Sequence, residues 1–140
     1  MPRQPSNYQQ RNAGRVGRVS EHLAAAWLLN TTDVYVAMMP DPSNCDLIVL
    51  FGDGRSASIQ VKTAYTSRRG VYTANCAGSR GGLYSNLDYL LVVDQHEPRF
   101  WLIPTNVISE RSHMRLDNYG LYRSRWEQAP VWVRHHALPS

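Results

Sequence analysis

Two short hydrophobic runs in the middle of the chain are joined by a turn that leaves few ways to fold them. The runs are 46–51 and 58–63, and Gly52-Asp53-Gly54 lies between them. Glycine next to aspartate favours a tight hairpin turn. The first run is apolar on both faces after Asp46, as in a strand that is covered on both sides. We therefore predict a central β-hairpin.

Three polar side chains meet at this hairpin. A turn centred near Asp53 and Gly54 places Asp46 opposite residues 60–62 in antiparallel strands. Because side chains alternate along a strand, Gln60 and Lys62 share one face. A one-residue shift changes their partner across the hairpin but leaves them on a common face. A carboxylate, an amide and an ammonium group therefore converge.

Lys62 is the single lysine of the chain, and the other basic residues are arginines. Lysine and arginine together number 15. Arginine is planar and always charged, whereas lysine is a compact charge whose pKa can be tuned. This choice is consistent with chemistry at Lys62, and an arginine-biased composition explains it equally well.

The composition favours a single domain that binds a polyanion. A length of 140 residues with a formal charge of +4 fits one domain with a core and a moderately basic surface. Neither cysteine, Cys45 or Cys76, has the spacing of a disulfide framework or a zinc site, so we expect both to be reduced and the protein to be cytoplasmic. No apolar run approaches the roughly 18 residues of a membrane span.

Apolar spacing predicts where the elements lie. Residues 1–14 are polar without a period and are predicted to form a flexible arm. Apolar residues recur at three- and four-residue steps from Arg15 to about Asn30 and predict the first helix. Further strands are predicted at 34–39, 70–76, 89–93 and 100–103. We expect a core over residues 15–108 and a C-terminal extension over 109–140 that forms an oligomer interface or contacts DNA.

The residues at the hairpin suit phosphodiester hydrolysis by a metal ion. Mg2+ activates water, neutralises charge on phosphorus and stabilises a leaving oxygen, and it prefers oxygen ligands. Asp46 is the best candidate ligand, and the Gln60 amide and the Val61 carbonyl offer two more oxygens. Lys62 is the candidate that orients or deprotonates the water. Glu21, on the first helix, is the candidate second carboxylate if that helix packs across the hairpin.

The order of these residues resembles the PD-(D/E)xK nuclease superfamily. It is most similar to the branch with glutamine at the (D/E) position, which includes cyanobacterial group I intron homing endonucleases. The likeness runs from about residue 14 to residue 107 and includes Asp46-Leu47-Ile48-Val49, Gln60-Val61-Lys62-Thr63, Leu87-Asp88-Tyr89-Leu90 and Trp101-Leu102-Ile103-Pro104.

The resemblance implies an α+β, restriction-endonuclease-like fold. Its core would be αβββαβ with a central mixed β-sheet, in an intracellular protein of a bacterium, an archaeon or a phage. It also implies a Mg2+ site at Asp46 and Gln60, with Mn2+ as a substitute, and a catalytic Lys62. Pro40-Asp41 matches the name of the superfamily literally, but Asp41 lies in a proline-bounded turn. We therefore favour Asp46.

These residues together predict a Mg2+-dependent endonuclease that hydrolyses duplex DNA. A Holliday-junction resolvase would use the same site on a four-way junction. A catalytically silent DNA-binding module stays open because Gln60 removes a negative charge from the metal site, and an interaction scaffold and an RNA substrate stay open as well. A domain this small spans a short stretch of duplex, so cutting both strands favours a homo-oligomer, a dimer or a tetramer.

Arginines near the site are the predicted contacts to DNA phosphate. Arg68 and Arg69 follow the second strand of the hairpin, and Arg80 lies in the glycine-rich stretch beyond it. Arg15 and Arg18, on the first helix, are further candidates. Tyr65, near a strand end, is expected to pack in the core rather than to stack on bases.

Overall fold

A helix, a central sheet and a second, smaller sheet make up the fold. The computed structural model describes residues 7–40, 45–66, 70–76 and 87–132. The elements are α1 Asn7–Thr31, β1 Tyr35–Met38, β2 Leu47–Leu50, β3 Ser56–Thr63, β4 Tyr65–Thr66, β5 Tyr72–Asn75, β6 Tyr89–Asp94, β7 Arg99–Pro104, β8 His113–Arg115 and β9 Arg123–Arg125. Two 3-10 helices, Thr105–Val107 and Leu116–Tyr122, follow β7 and β8.

The central sheet has six strands in the order β1-β2-β3-β6-β7-β9. Neighbouring strands are antiparallel except β3 and β6, which run parallel. The predicted mixed sheet in an α+β fold is therefore confirmed, and the chain opens with the predicted helix and three strands. The strands predicted on either side of the central turn lie within one or two residues of their predicted ends.

Helix α1 covers one face of the central sheet. Its apolar side buries Ala24, Trp27 and Leu28 completely against the sheet. The ring of Trp27 stacks on Phe100 of β7, with ring centroids 4.5 Å apart. The indole N–H of Trp27 donates to the carbonyl oxygen of Gln128 across 2.9 Å. Burying an aromatic pair and satisfying its polar group fixes the helix on the sheet.

The second sheet covers the opposite face. Its strands pair antiparallel in the order β4-β5-β8. Ala74 and Met114 of this sheet pack with Leu90, Val92 and other residues of β6 and β7 in a second buried cluster. Alternate residues of β6 thus serve the two cores, since Leu91 and Val93 belong to the cluster under α1. Such a strand must be apolar on both faces.

The structure differs from the sequence-based expectations at both ends of the chain. Helix α1 begins at Asn7, well before Arg15, and residues 1–6 lie outside the described ranges. Within the predicted extension of 109–140, residues 109–132 are part of the core, because β8 completes the second sheet and β9 the central one, and residues 133–140 lie outside the described ranges. Trp132 also packs edge-on against Phe51 and Tyr89. Strands of three residues carry too little periodicity to be recognised from sequence.

No helix within the described ranges is long and apolar enough to cross a membrane. Cys45 and Cys76 are both free thiols.

Candidate functional site

The central hairpin has the predicted register. Leu47 pairs with Ile59, so Asp46 stands opposite Gln60. The backbone N–H of Asp46 donates to the carbonyl oxygen of Ile59 across 2.9 Å. In the turn, Gly54 adopts a φ of 90°, a conformation that side chains disfavour. The Gly52-Asp53-Gly54 sequence therefore sets the alignment that brings Asp46 to Gln60.

The Asp46 carboxylate lies at an open edge of β3. Strand β2 begins at Leu47, so the part of β3 beyond Ile59 extends past it. There the backbone N–H of Val61 donates to Oδ2 of Asp46 across 2.8 Å. In an extended strand, the N–H and C=O groups of one residue point to the same side. The carbonyl oxygen of Val61 therefore faces the same edge as the carboxylate.

Alternation along β3 separates its core residues from its polar ones. Ile59 and Val61 are buried in the cluster under α1. Gln60 and Lys62 pair with Leu90 and Val92, whose side chains lie in the second cluster, so both point to the face that carries the second sheet. Both are half-buried.

Asp46 is also half-buried, and its carboxylate meets β3 at the backbone N–H of Val61, the residue between Gln60 and Lys62. That the carboxylate, the amide and the ammonium group form one site stays a prediction. Their roles in chemistry remain predictions.

Glu21 reaches the neighbourhood of this site from the helix. The hydroxyl groups of Ser20 and Thr63 lie 2.6 Å apart, which fixes this turn of α1 one residue beyond Lys62. The Gln95 amide donates to Ser20 Oγ across 2.8 Å and holds the same turn to the end of β6. Glu21 is half-buried beside this contact. The helix does pack across β3, but on the face opposite to Gln60 and Lys62.

The donor set is poor in charge but suited to a hard cation. In residues 7–40, 45–66, 70–76 and 87–132, no group of three or more His, Cys, Asp or Glu side chains could hold a metal ion. An ion at this edge would depend on Asp46 together with the Gln60 amide and the Val61 carbonyl. All three are oxygen donors, and Mg2+ is commonly held by one or two carboxylates with water completing its shell. The residues fit that ion.

One solved structure with a similar architecture is that of a bacterial homing endonuclease, I-Ssp6803I. It is 20% identical to this chain, the similarity covers 73% of each chain, and the TM-score is 0.61. The chain shares the mixed α+β fold of that structure. At this identity the similarity concerns the fold alone. The sequence matches no protein-family model and no curated protein.

In the second cluster, the buried thiol of Cys76 is influenced by two charges. Burial raises the pKa of Cys76, and the charge of Glu110 raises it further, while a backbone hydrogen bond and the charge of Lys62 lower it. The thiol donates to the carbonyl oxygen of Glu110 across 3.6 Å. The Tyr119 hydroxyl donates to the carboxylate of Glu110. Cys76 is thus influenced by the charges of both Lys62 and Glu110, and no motif in the sequence marks Glu110.

The arginines predicted to contact DNA divide into two groups. Arg15 and Arg18 are exposed on α1. Arg68, Arg69 and Arg80 lie outside the described residues, as does Asp41. Tyr65, expected in the core, is 58% exposed on β4. That prediction is wrong, because the second sheet turns this side chain away from the central sheet.

Proposed function

We propose that this protein is a Mg2+-dependent endonuclease that hydrolyses phosphodiester bonds in duplex DNA, in the manner of a homing endonuclease. The observation that carries the proposal is the 2.8 Å bond between Val61 N–H and Asp46 Oδ2. It holds a carboxylate at the open edge of β3, at the residue between Gln60 and Lys62. The restriction-endonuclease-like fold supports the same reading.

Asp46, Gln60 and Val61 would hold the ion. Glu21 would add a further carboxylate by reaching round the open edge of β3 from the α1 side of the sheet. When bound, Mg2+ or Mn2+ supplies a Lewis acid that stabilises negative charge on the phosphate. Asp46 is kept in place by the Val61 N–H, so its geometry does not depend on the ion. Gln60 contributes an oxygen without a charge, so affinity for the ion rests mainly on the carboxylates.

Lys62 would act on the attacking water and on the charge that develops in the transition state. Its neighbour Val61 is fixed in the core, and its own side chain projects to the half-buried face of Gln60. A lysine ammonium is a compact donor of three hydrogen bonds. It can therefore orient water or contact a phosphate oxygen from a single position.

Arginine contacts would bind the DNA backbone. The candidates are Arg15, Arg18, Arg68, Arg69 and Arg80. Contacts of this kind give salt-sensitive binding without reading the sequence. Cleavage of both strands by a domain of this size would use a homo-oligomer, a dimer or a tetramer, so that two copies of the site face the two strands.

A catalytically silent DNA-binding module is the second candidate. One observation favours it: Gln60 stands opposite a single carboxylate, that of Asp46. A pair of acidic ligands at these two positions would bind a metal ion more tightly. Such a module would keep the fold and the basic surface, and its binding to DNA would not respond to Mg2+.

Cleavage of a defined substrate panel separates these candidates. Linear duplex, a four-way junction and single-stranded DNA are incubated with Mg2+ or Mn2+ and with wild type, Lys62→Ala or Arg55→Ala. Arg55 is an exposed cation at the turn end of β3 and serves as the control for charge loss. Cutting of duplex by wild type and Arg55→Ala, but not by Lys62→Ala, supports the endonuclease. Preference for the junction indicates a resolvase, and salt-sensitive binding without cutting indicates the silent module.

A further inference from the structure

The second sheet presents one face away from the core. Across its strands, Tyr65 pairs with Thr73 and Thr73 with Arg115. One step along, Asn75 pairs with His113. Because side chains alternate with a period of two, these five residues share a face. We call them the outer face of the second sheet.

The opposite face of the same strands is the one that is buried. Ala74 is 1% exposed and Met114 is fully buried, and both pack against the central sheet. On the outer face, Tyr65 is 58% exposed, and Asn75, His113 and Arg115 are exposed as well. Thr73 is half-buried. The outer face is therefore a polar surface about three strands wide, with a core behind it that keeps it rigid.

The side chains of the outer face suit the edges of base pairs. None of the five is acidic or aliphatic, and each can donate or accept a hydrogen bond. Asparagine pairs with adenine and arginine with guanine through two hydrogen bonds each in the major groove. The one formal charge is that of Arg115, which is positive and complements a polyanion. Asp117 approaches it only to 3.7 Å in an exposed pair, an interaction that costs little to exchange.

The second sheet lies close to the candidate site along the chain. Strand β4 begins at Tyr65, three residues after Lys62, so the two are at most about 11 Å apart along the chain. The second sheet and the side chains of Gln60 and Lys62 lie on the same side of the central sheet. A duplex whose phosphate reached Lys62 would therefore run alongside the second sheet. The major groove is about 12 Å wide and admits a two-stranded β-ribbon.

We propose that the outer face of the second sheet reads base edges in the major groove of duplex DNA and sets the sequence preference of the enzyme. Strands β5 and β8 would enter the groove, with Asn75 and Arg115 as the principal readers. Tyr65 would contact the flanking backbone from β4. The inference rests on the proposed endonuclease function and adds to it the surface that selects the target.

The test is selection from a pool of duplex DNA with randomised sequence, carried out without divalent metal so that no DNA is cut. Wild type is compared with Asn75→Ala, Arg115→Ala and Arg115→Lys. Asn106→Ala and Arg55→Ala are matched controls. Asn106 is an exposed asparagine in the 3-10 helix that follows β7. The side chain of Arg55 is 66% exposed and pairs with Asp53, and that of Arg115 is 64% exposed and pairs with Asp117.

We expect Asn75→Ala and Arg115→Ala each to lower the enrichment of the preferred base at one or two positions by about 10-fold to 100-fold. The controls should keep the wild-type profile. Loss of Asn75 should leave the salt dependence of binding unchanged, because no charge is removed. Arg115→Lys should lose preference almost as fully as Arg115→Ala, since lysine keeps the charge but not the planar pair of donors.

Each other outcome overturns the inference. If Asn75→Ala and Arg115→Ala keep the wild-type profile while wild type cuts duplex with Mg2+, the reading surface is elsewhere and the endonuclease stands. The inference also fails if wild type binds duplex DNA without any sequence preference. It fails as well if both Arg115→Lys and Asn75→Ala keep the wild-type profile of preferred bases. If wild type neither binds nor cuts DNA, the inference and the proposed function both fail.

Discussion

Asp46 accepts a hydrogen bond from the backbone N–H of Val61 through Oδ2, across 2.8 Å. The bond joins the residue before β2 to the interior of β3, where β2 no longer provides a partner. It gives the carboxylate a structural role in addition to its proposed role as a metal ligand. The two roles can be separated, because an amide oxygen also accepts a hydrogen bond but binds Mg2+ less well than a carboxylate does.

Asp46→Asn should abolish metal-dependent cleavage with little loss of stability, since the asparagine oxygen can still accept the Val61 N–H. Asp46→Ala should abolish cleavage and also lower the free energy of unfolding by about 1 kcal/mol, because that N–H loses its partner. Urea unfolding and a Mg2+ titration of cleavage measure the two effects. Asp41→Asn is the control, and loss of cleavage in that variant with retention in Asp46→Asn would identify Asp41 as the ligand instead.

Lys62→Ala should lower the cleavage rate by roughly 10²- to 10⁴-fold, because it removes a group that acts on water in the transition state. Binding to duplex should change little, since one cation among many is lost. Single-turnover cleavage and a binding titration give the two quantities. Equal losses in rate and in affinity would mean that Lys62 contacts the DNA backbone and takes no part in the chemical step.

Gln60→Glu should lower the Mg2+ concentration that half-saturates cleavage by severalfold, because a second carboxylate raises the charge of the ligand set. The side chain keeps its length and its face on β3, opposite Asp46. The Mg2+ dependence of the initial rate is the measurement, with Gln60→Ala as the variant expected to move it in the other direction. An unchanged midpoint in both variants would remove Gln60 from the metal site.

Trp27→Phe should lower the free energy of unfolding by about 1–3 kcal/mol, since it removes buried volume and the partner of the Gln128 carbonyl. Trp126 is the matched control because it is 36% exposed and lies at the rim of the same aromatic group. Trp126→Phe should cost less than about 1 kcal/mol. Urea unfolding followed by circular dichroism avoids reliance on tryptophan fluorescence. Similar losses in both variants would contradict the packing of α1 against residues 123–128.

Stability should fall as the pH rises above about 9, in part because of Cys76. Burial, and then the charge of Glu110, raise the pKa of this thiol above its ordinary value of 9.0. The unfolded chain therefore loses the proton first, so stability is fully present below pH 9 and declines toward the higher folded pKa. Cys76→Ala should flatten this decline, measured by urea unfolding at a series of pH values. A decline as steep as that of wild type would mean that other groups cause it, among them Cys45, whose pKa is also raised by burial and by Asp46.

The sequence predicts the hairpin and its polar face because local rules determine both. The turn at Gly54 sets the register that brings Asp46 to β3, and alternation then puts Gln60 and Lys62 on one face. Long apolar runs likewise mark β6 and β7. These features involve residues close in sequence, where propensity and period are informative.

The second sheet is not predictable in the same way. Strand β4 has two residues and β8 has three, and the second partner of β5, strand β8, follows only after the β6–β7 hairpin. The sequence predicts Tyr65 in the core because a tyrosine near a strand end usually packs. In the structure Tyr65 pairs with Thr73 and its side chain is 58% exposed. The surroundings of Glu110 are equally hard to predict from the sequence. Its neighbour Cys76 is 34 residues away, and its neighbour Tyr119 lies on the 3-10 helix Leu116–Tyr122.

The pairing of β5 with β8 has a consequence for the order of folding. The β6–β7 hairpin joins neighbouring segments, and hairpins of this kind form on the scale of about 1–10 μs. Closing the long loop between Asn75 and His113 costs more chain entropy. The contacts between β5 and β8 offset that cost only once both strands have paired. The second sheet should therefore be completed after the central hairpin. A chain with residues 46–63 already aligned would still lack the surface that we propose selects its DNA.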